Sequence, residues 1–185
     1  MFRTLISYLT FPGVIIHELS HKKFCDWFGV EVYKVRYFKF GTTLGYVDHA
    51  VPSKYFQTFW ISIGPLIINS ILTIVSSAAG AHFILVNNYS YVRGLWLWVV
   101  VWIIFSIGFH AIPSDADVEN IRIASREALS QWGIFHPFRF LYALAFPFVW
   151  IIIFANKLKI YWMLDIWYSI ALMVFGVWVS LSGIF

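Results

Sequence analysis

Two histidines and a glutamate near the start of the chain have the spacing of a metal site. The stretch reads His17-Glu18-Leu19-Ser20-His21, and on a helix two residues four apart share one face, one turn apart. One metal ion can then bind both imidazoles, while Glu18 lies close enough to act as a base on a metal-bound water. The competing interpretation is a pair of histidines at a helix interface. Ionisable groups that directly follow an apolar run are costly unless they are used, which favours the metal site.

The composition indicates an integral membrane protein. Of the 185 residues, 61% are hydrophobic, 21% are aromatic and only 12% are charged, which is far from the balance of a soluble domain. The net charge of +4 comes from basic residues beside apolar segments, where they match anionic lipid headgroups better than nucleic acid. The single Cys25 cannot form an internal disulfide. These features favour a lipid bilayer and membrane-borne peptides as partners.

The apolar segments predict an all-α polytopic membrane protein with about five transmembrane helices, because each segment holds about 20 residues. A strand-turn-strand pattern of β-branched and aromatic residues predicts a small membrane-surface β-hairpin, and apolar residues at helical spacing predict an amphipathic helix. No second domain is expected in 1–185. The expected spans are 4–21, 56–86, 94–112, 138–156 and 160–185, with the hairpin at 30–51 and the amphipathic helix at 115–132.

The basic residues predict an orientation in the membrane. Most of the 13 Lys and Arg residues lie in the loops 22–55 and 114–139, and cytosolic loops carry the excess of such residues. The first span ends at one of these loops, so the metal site is expected near the cytosolic face. Five spans then put the N-terminus outside and the C-terminus in the cytosol.

A catalytic zinc site needs a third protein ligand and leaves its fourth position for water. The loop after the third expected span offers three carboxylates at the same membrane face, Asp115, Asp117 and Glu119, with His110 one turn deeper. Ser114 and Asp117 also have the spacing of a helix capping box, which gives Asp117 a purely structural alternative. Spacing alone does not choose among the three carboxylates.

Three motifs taken together resemble the site-2 protease family of intramembrane zinc metalloproteases. They are the His-Glu-x-x-His motif, a Gly-Pro-x-x-Asn motif at 64–69 and a Pro-then-Asp element after the third span, so the resemblance covers residues 4 to about 120. The resemblance implies that two histidines and an aspartate bind Zn²⁺, that the glutamate is the general base and that the asparagine lies near the site. Those roles fall on His17, His21, Asp117, Glu18 and Asn69. Asn69 is also expected to contact the substrate, by steadying its strand or its carbonyl near the zinc.

The chain departs from the family pattern in the third-ligand segment. It lacks the usual Leu-Asp-Gly ending, and His110 stands roughly where the family carries a polar asparagine. His110 is therefore expected to help to hold a substrate or an oxyanion. No PDZ-like insertion is present, so the chain resembles a minimal form of the family.

The expected function is zinc-dependent hydrolysis of peptide bonds in transmembrane or membrane-adjacent substrates. A substrate helix must be locally unwound for attack, and the hairpin edge at Tyr46 and Val47 is expected to hold the unwound strand. One alternative is a prenyl-endopeptidase type of membrane protease in which Glu119 is the third ligand. The other is a protease-like scaffold that binds metal or partners without turnover. A scaffold has no need of Glu18, which favours the enzyme.

Overall fold

The fold is mostly helical, with one small antiparallel hairpin. The computed structural model describes residues 2–41, 43–85, 94–131 and 137–183. The expected loop around Arg93 and the expected ends at 86, 132 and 185 lie outside these residues. Within them are seven helices: α1 (Phe2–Leu9), α2 (Phe11–Trp27), α3 (Tyr55–Leu85), α4 (Leu95–Phe109), α5 (Asp115–Gln131), α6 (Pro137–Trp162) and α7 (Leu164–Leu181).

The expected first span, 4–21, is two helices rather than one. The break falls at Thr10, and Pro12 lies in the first turn of α2. Proline has no N–H to donate and its ring clashes with the carbonyl four residues earlier, so it favours the start of a helix over the interior. The second helix also runs past the basic residues 22–23 to Trp27. The prediction of one continuous span ending at the basic pair is therefore wrong.

Helix α3 is the central element and packs against α2, α4, α5 and α7. The close approach of α2 depends on Gly64, because a Cβ there would lie 2.5 Å from Cδ2 of Phe24. The helix continues through Pro65, which is fully buried. This packing explains why a small residue precedes the proline in the Gly-Pro-x-x-Asn motif.

The last helix runs parallel to α3. The hydroxyls of Ser70 and Tyr168 lie 2.8 Å apart, and a Cβ on Gly176 would lie 2.5 Å from the carbonyl oxygen of Ile74. Both helices therefore advance in the same direction. The start of α7 lies beside the end of α4, where Ser169 donates to the carbonyl of Phe105 over 2.8 Å.

Helices α5 and α6 form an antiparallel pair. The amide of Asn156, near the end of α6, donates to Asp115, the first residue of α5, over 2.6 Å, and Lys159 donates to the carbonyl of Pro113 over 3.0 Å. A segment 138–156 that crossed from one end of the bundle to the other would separate these groups. The structure therefore contradicts the expected order of five crossings: α6 returns to the level at which α5 begins.

Two described helices are long and apolar enough to cross a membrane, Tyr55–Ile84 and Leu164–Leu181, by length and composition. Helix α4 is apolar but has 15 residues, fewer than the roughly 20 that a bilayer core requires. Helix α5 is amphipathic as expected: Ile121 is 1% exposed, and Glu119 and Arg126 lie on its exposed face.

The hairpin lies within the expected range, but its strands are shorter. Strand β1 (Val32–Arg36) pairs with strand β2 (Tyr46–His49), and the register is shifted between Val32 and Lys34. The aromatic residues after β1 leave the sheet and pack on α1, where the Phe40 ring stacks on Tyr8 with centroids 5.5 Å apart. The Tyr8 hydroxyl also bonds the backbone of Gly41. The loop between the strands is thereby fixed to the N-terminal helix.

Candidate metal centre

Two imidazoles and one carboxylate converge between α2 and α5. Nε2 of His21 lies 3.1 Å from Nε2 of His17 and 3.2 Å from Oδ1 of Asp117, and Nε2 of His17 lies 3.6 Å from Oδ2 of Asp117. Tetrahedral zinc with bonds of about 2.0–2.1 Å separates its ligand atoms by about 3.3 Å. The three side chains are buried, and the group could hold a metal ion.

The backbone sets the orientation of both imidazoles. Nδ1 of His17 donates to the carbonyl of His110 over 2.7 Å, and Nδ1 of His21 donates to the carbonyl of Ile61 over 2.9 Å. With each Nδ1 carrying the proton, each Nε2 has a lone pair free for a metal. Such bonds fix the tautomer and the ring direction of a ligand histidine.

Asp117 takes part in a helix cap as well as in the metal centre. Oδ2 accepts from the backbone N–H of Ser114 over 2.8 Å and from the Ser114 hydroxyl over 2.6 Å, and that hydroxyl accepts from the N–H of Asp117. This is the capping box that the sequence predicts. Burial alone would raise the pKa of the Asp117 carboxyl, but His21 and His17 hold that pKa well below its usual range.

The other two candidate carboxylates lie away from the histidines. Asp115 is exposed and accepts from Asn156. Glu119 is exposed and forms an ion pair with Arg122, with the atoms 2.6 Å apart. Within the described part of the chain, Asp117 is the carboxylate that joins the two histidines. This geometry disfavours the alternative in which Glu119 is the third ligand.

Glu18 lines the same cavity as the three candidate ligands without belonging to their group. The residue just before β2 covers it closely, since a Cβ on Gly45 would lie 2.6 Å from Cγ of Glu18. A carboxylate beside the ligands, held by a neighbouring loop, is placed as a base would need to be.

Asn69 lies behind the histidines rather than in the cavity. Its side chain is 0% exposed and donates to the carbonyls of Ile107 over 3.1 Å and His110 over 3.3 Å, while it accepts from the Ser20 hydroxyl. It therefore joins α2, α3 and α4 and supports the carbonyl that orients His17. This differs from the substrate contact expected from the sequence, because a residue with all its polar atoms bonded inside the bundle does not face a ligand.

His110 contributes its backbone and its ring to different contacts. The carbonyl orients His17, and the ring lines the cavity with Nε2 2.8 Å from Oγ1 of Thr10. Thr10 was not singled out from the sequence. Pro12 was the available signal, because it predicts a helix start and hence a polar residue just before it.

The centre opens into one cavity of about 1230 Å³. This volume exceeds the roughly 300–1,000 Å³ typical of small-molecule pockets, so an extended peptide segment has room. Strand β2 contributes Tyr46 and Val47 to the lining. The lining also includes Arg3 and Lys159, which no motif in the sequence marks, because only the packing of α1 and α6 brings them there.

No protein-family model, curated protein or solved structure matches the chain.

Proposed function

We propose that the chain is an intramembrane zinc metalloendopeptidase resembling the site-2 protease family. The observation that carries this proposal is the buried group of His17, His21 and Asp117 beside Glu18 in a single cavity. A binding site for metal alone has no need of a carboxylate that is next to the ligands but outside their group. The volume of the cavity, about 1230 Å³, favours a peptide substrate over a small molecule.

Zinc is the metal that the donor set favours. Two neutral imidazoles and one carboxylate, spaced as tetrahedral ligands, match the three-ligand sites of zinc hydrolases. When bound, zinc would polarise the peptide carbonyl and lower the pKa of water in its open position. Glu18 would accept the proton from the attacking water and return it to the leaving amine.

The exposed apolar surface supports a position within the membrane. At the start of α4, Leu95, Trp96 and Trp98 are 79%, 78% and 71% exposed, and on α7 Trp167 and Val174 are 66% and 62% exposed. Soluble monomers rarely expose apolar patches of this kind, whereas lipid tails solvate them. In this proposal α3 and α7 cross the bilayer. The shorter α4 returns through the hydrocarbon core as far as the metal centre, and α1 with α2 enters and leaves on the cytosolic side.

The α5–α6 pair then lies on the cytosolic half of the bundle, near the basic loops. This arrangement replaces the five crossings expected from hydropathy and keeps the metal centre near the cytosolic face. It also puts the C-terminal end of α7 on the side opposite the hairpin.

Substrates would be transmembrane segments or membrane-adjacent peptides. A helical segment must unwind for its carbonyl to be attacked, and each backbone group left unpaired in a membrane costs several kcal/mol. The β2 strand lines the cavity, and strand addition along it would satisfy those groups.

The test is metal analysis of the purified full chain, paired with cleavage of a mixed set of membrane-protein substrates in nanodiscs. We expect one zinc per chain in the wild type and in Glu18→Gln, and cleavage only in the wild type. Replacement of both His17 and His21 by alanine should remove the zinc.

Full zinc occupancy in the double histidine variant would refute the proposed centre. Equal cleavage by the wild type and Glu18→Gln would refute the role of Glu18. Zinc in both proteins with no cleavage by either would favour the scaffold alternative.

A further inference from the structure

One cation in the cavity, Lys159, forms no ion pair with a carboxylate of the described residues. Lys159 is half-buried, and among the described residues its ammonium group has one hydrogen bond, to the carbonyl of Pro113 over 3.0 Å. None of the ion pairs that the described residues form includes Lys159. An ammonium group has three donors, so two are left without a described protein acceptor.

The neighbouring cation, Arg3, has an acidic partner within the fold. Arg3 forms an ion pair with Asp165 at 2.5 Å, and Asp165 is 1% exposed. The guanidinium also donates to the carbonyl of Lys159. Arg3 therefore fixes the end of α6 and adds positive potential near Lys159 while its own charge is paired.

This unpaired ammonium group is close to the metal centre. Pro113, whose carbonyl it contacts, begins the short segment that leads to Ser114 and Asp117. Lys159 lines the same cavity as Glu18. Burial, followed by the Arg3 guanidinium, lowers the pKa of Lys159 despite the carboxylates nearby, as expected of an ammonium group without a close counter-charge.

We propose that Lys159 forms a subsite that binds a carboxylate group of the peptide substrate beside the metal centre. The inference rests on the proposed peptidase function and names the chemistry that the substrate brings. An ammonium group with free donors in a partly buried cavity binds a carboxylate through a charge-assisted hydrogen bond. A peptide supplies that group either as an Asp or Glu side chain or as its C-terminal carboxylate.

The test uses synthetic transmembrane peptides in neutral-lipid nanodiscs with the zinc-loaded full chain. In one arm, each peptide carries a single Glu at a different position on one side of the membrane. Each of these peptides is compared with the same peptide carrying Gln instead. In the other arm, a free C-terminal acid is matched by the amide. At least one acidic peptide should be cleaved about tenfold faster in kcat/KM than its neutral match, and the arm in which this occurs identifies the source.

Lys159→Met should reduce that ratio to near one while the rate for the neutral peptide is kept. Lys159→Arg should keep the ratio, which separates the loss of charge from the loss of fold. The matched control is Lys157→Met, since Lys157 is exposed on the same helix. Zinc content is measured in every variant.

If Lys159→Met lowers kcat/KM equally for acidic and neutral peptides while zinc is retained, the subsite is overturned. Lys159 would then only support the Pro113 segment. Loss of the preference in nanodiscs that contain phosphatidylglycerol would assign the site to lipid phosphate instead. Peptide binding to zinc-loaded Glu18→Gln separates the two proposals: an acid preference in binding that Lys159→Met abolishes supports the subsite even if the wild type cleaves nothing.

Discussion

Ser114 and Asp117 form a reciprocal helix cap, and the same aspartate is the carboxylate nearest His21. Its Oδ2 accepts from Ser114, and its Oδ1 lies 3.2 Å from Nε2 of His21. The capping and metal-ligand roles, which the sequence presents as competitors, are compatible. Oδ1 faces His21, and Oδ2 accepts from Ser114 while it still lies 3.6 Å from Nε2 of His17. A cap bonded in this way also holds the carboxylate in place before any metal binds.

Asp117→Asn should separate these two roles. The amide oxygen can still accept from Ser114, so the contribution of the cap to the free energy of unfolding, about 1 kcal/mol, should be kept. Any further loss in the metal-free protein then measures the lost contact between the carboxylate and the histidines. The charge needed by a metal is lost, so zinc content should fall at least tenfold. Zinc per chain and chemical unfolding of the metal-free protein measure the two effects.

The control is Asp115→Asn, which can keep the hydrogen bond from Asn156. It should retain zinc and activity. A greater loss of zinc in Asp115→Asn than in Asp117→Asn would move the third ligand to Asp115.

Gly45→Ala should impair turnover without loss of metal. The added methyl group would lie 2.6 Å from Cγ of Glu18, closer than non-bonded carbons approach, so either the loop or the Glu18 side chain must move. We expect kcat to fall at least tenfold, because a displacement of about 1 Å at a catalytic group can cost about a hundredfold. Gly80→Ala is the control, since a Cβ at Gly80 meets nothing within 4 Å. Unchanged kcat in Gly45→Ala would show that Glu18 tolerates the shift or has no part in the reaction.

Proline replacements along β2 should reveal whether the strand binds substrate. Neighbouring residues of a strand direct their N–H groups to opposite edges. One of the two variants Val47→Pro and Asp48→Pro therefore removes a hydrogen-bond donor to β1. The other removes a donor on the free edge of the hairpin. The free-edge variant should lose turnover while zinc content and the unfolding transition stay normal. A helix-breaking residue near the cleavage site of a substrate should raise its cleavage rate. Turnover that is indifferent to both changes would leave the hairpin as a connector only.

Membrane topology is testable with single cysteines at Lys54, Arg93 and Ser182. The directions of α3 and α7 predict that Arg93 and Ser182 are labelled from one side and Lys54 from the other. Cys25 is 0% exposed, so the native thiol should contribute little background. Labelling of Ser182 from the same side as Lys54 would restore the five-crossing arrangement and contradict the parallel packing of α3 and α7.

The sequence predicted the elements of the centre better than it predicted the path of the chain. Four-residue spacing is enough to put His17 and His21 on one helical face, and the capping pattern locates the start of α5. Hydropathy counts apolar residues and is blind to the bond between Asn156 and Asp115, so the return of α6 could not be inferred. The Gly-Pro-x-x-Asn motif marks Asn69 as a residue near the site, but its partners on two other helices depend on packing.

The carbonyl oxygen of His110 accepts from both His17 and Asn69, and a carbonyl has two lone pairs. Both lone pairs are therefore used, one by a donor on α2 and one by a donor on α3. A displacement of the end of α4 would strain or break one of these hydrogen bonds, or both. The orientation of the His17 ring therefore depends on how α2, α3 and α4 pack together. Stripping the metal and truncating Asn69 should therefore loosen the same stretch of backbone, and hydrogen exchange there would register either event.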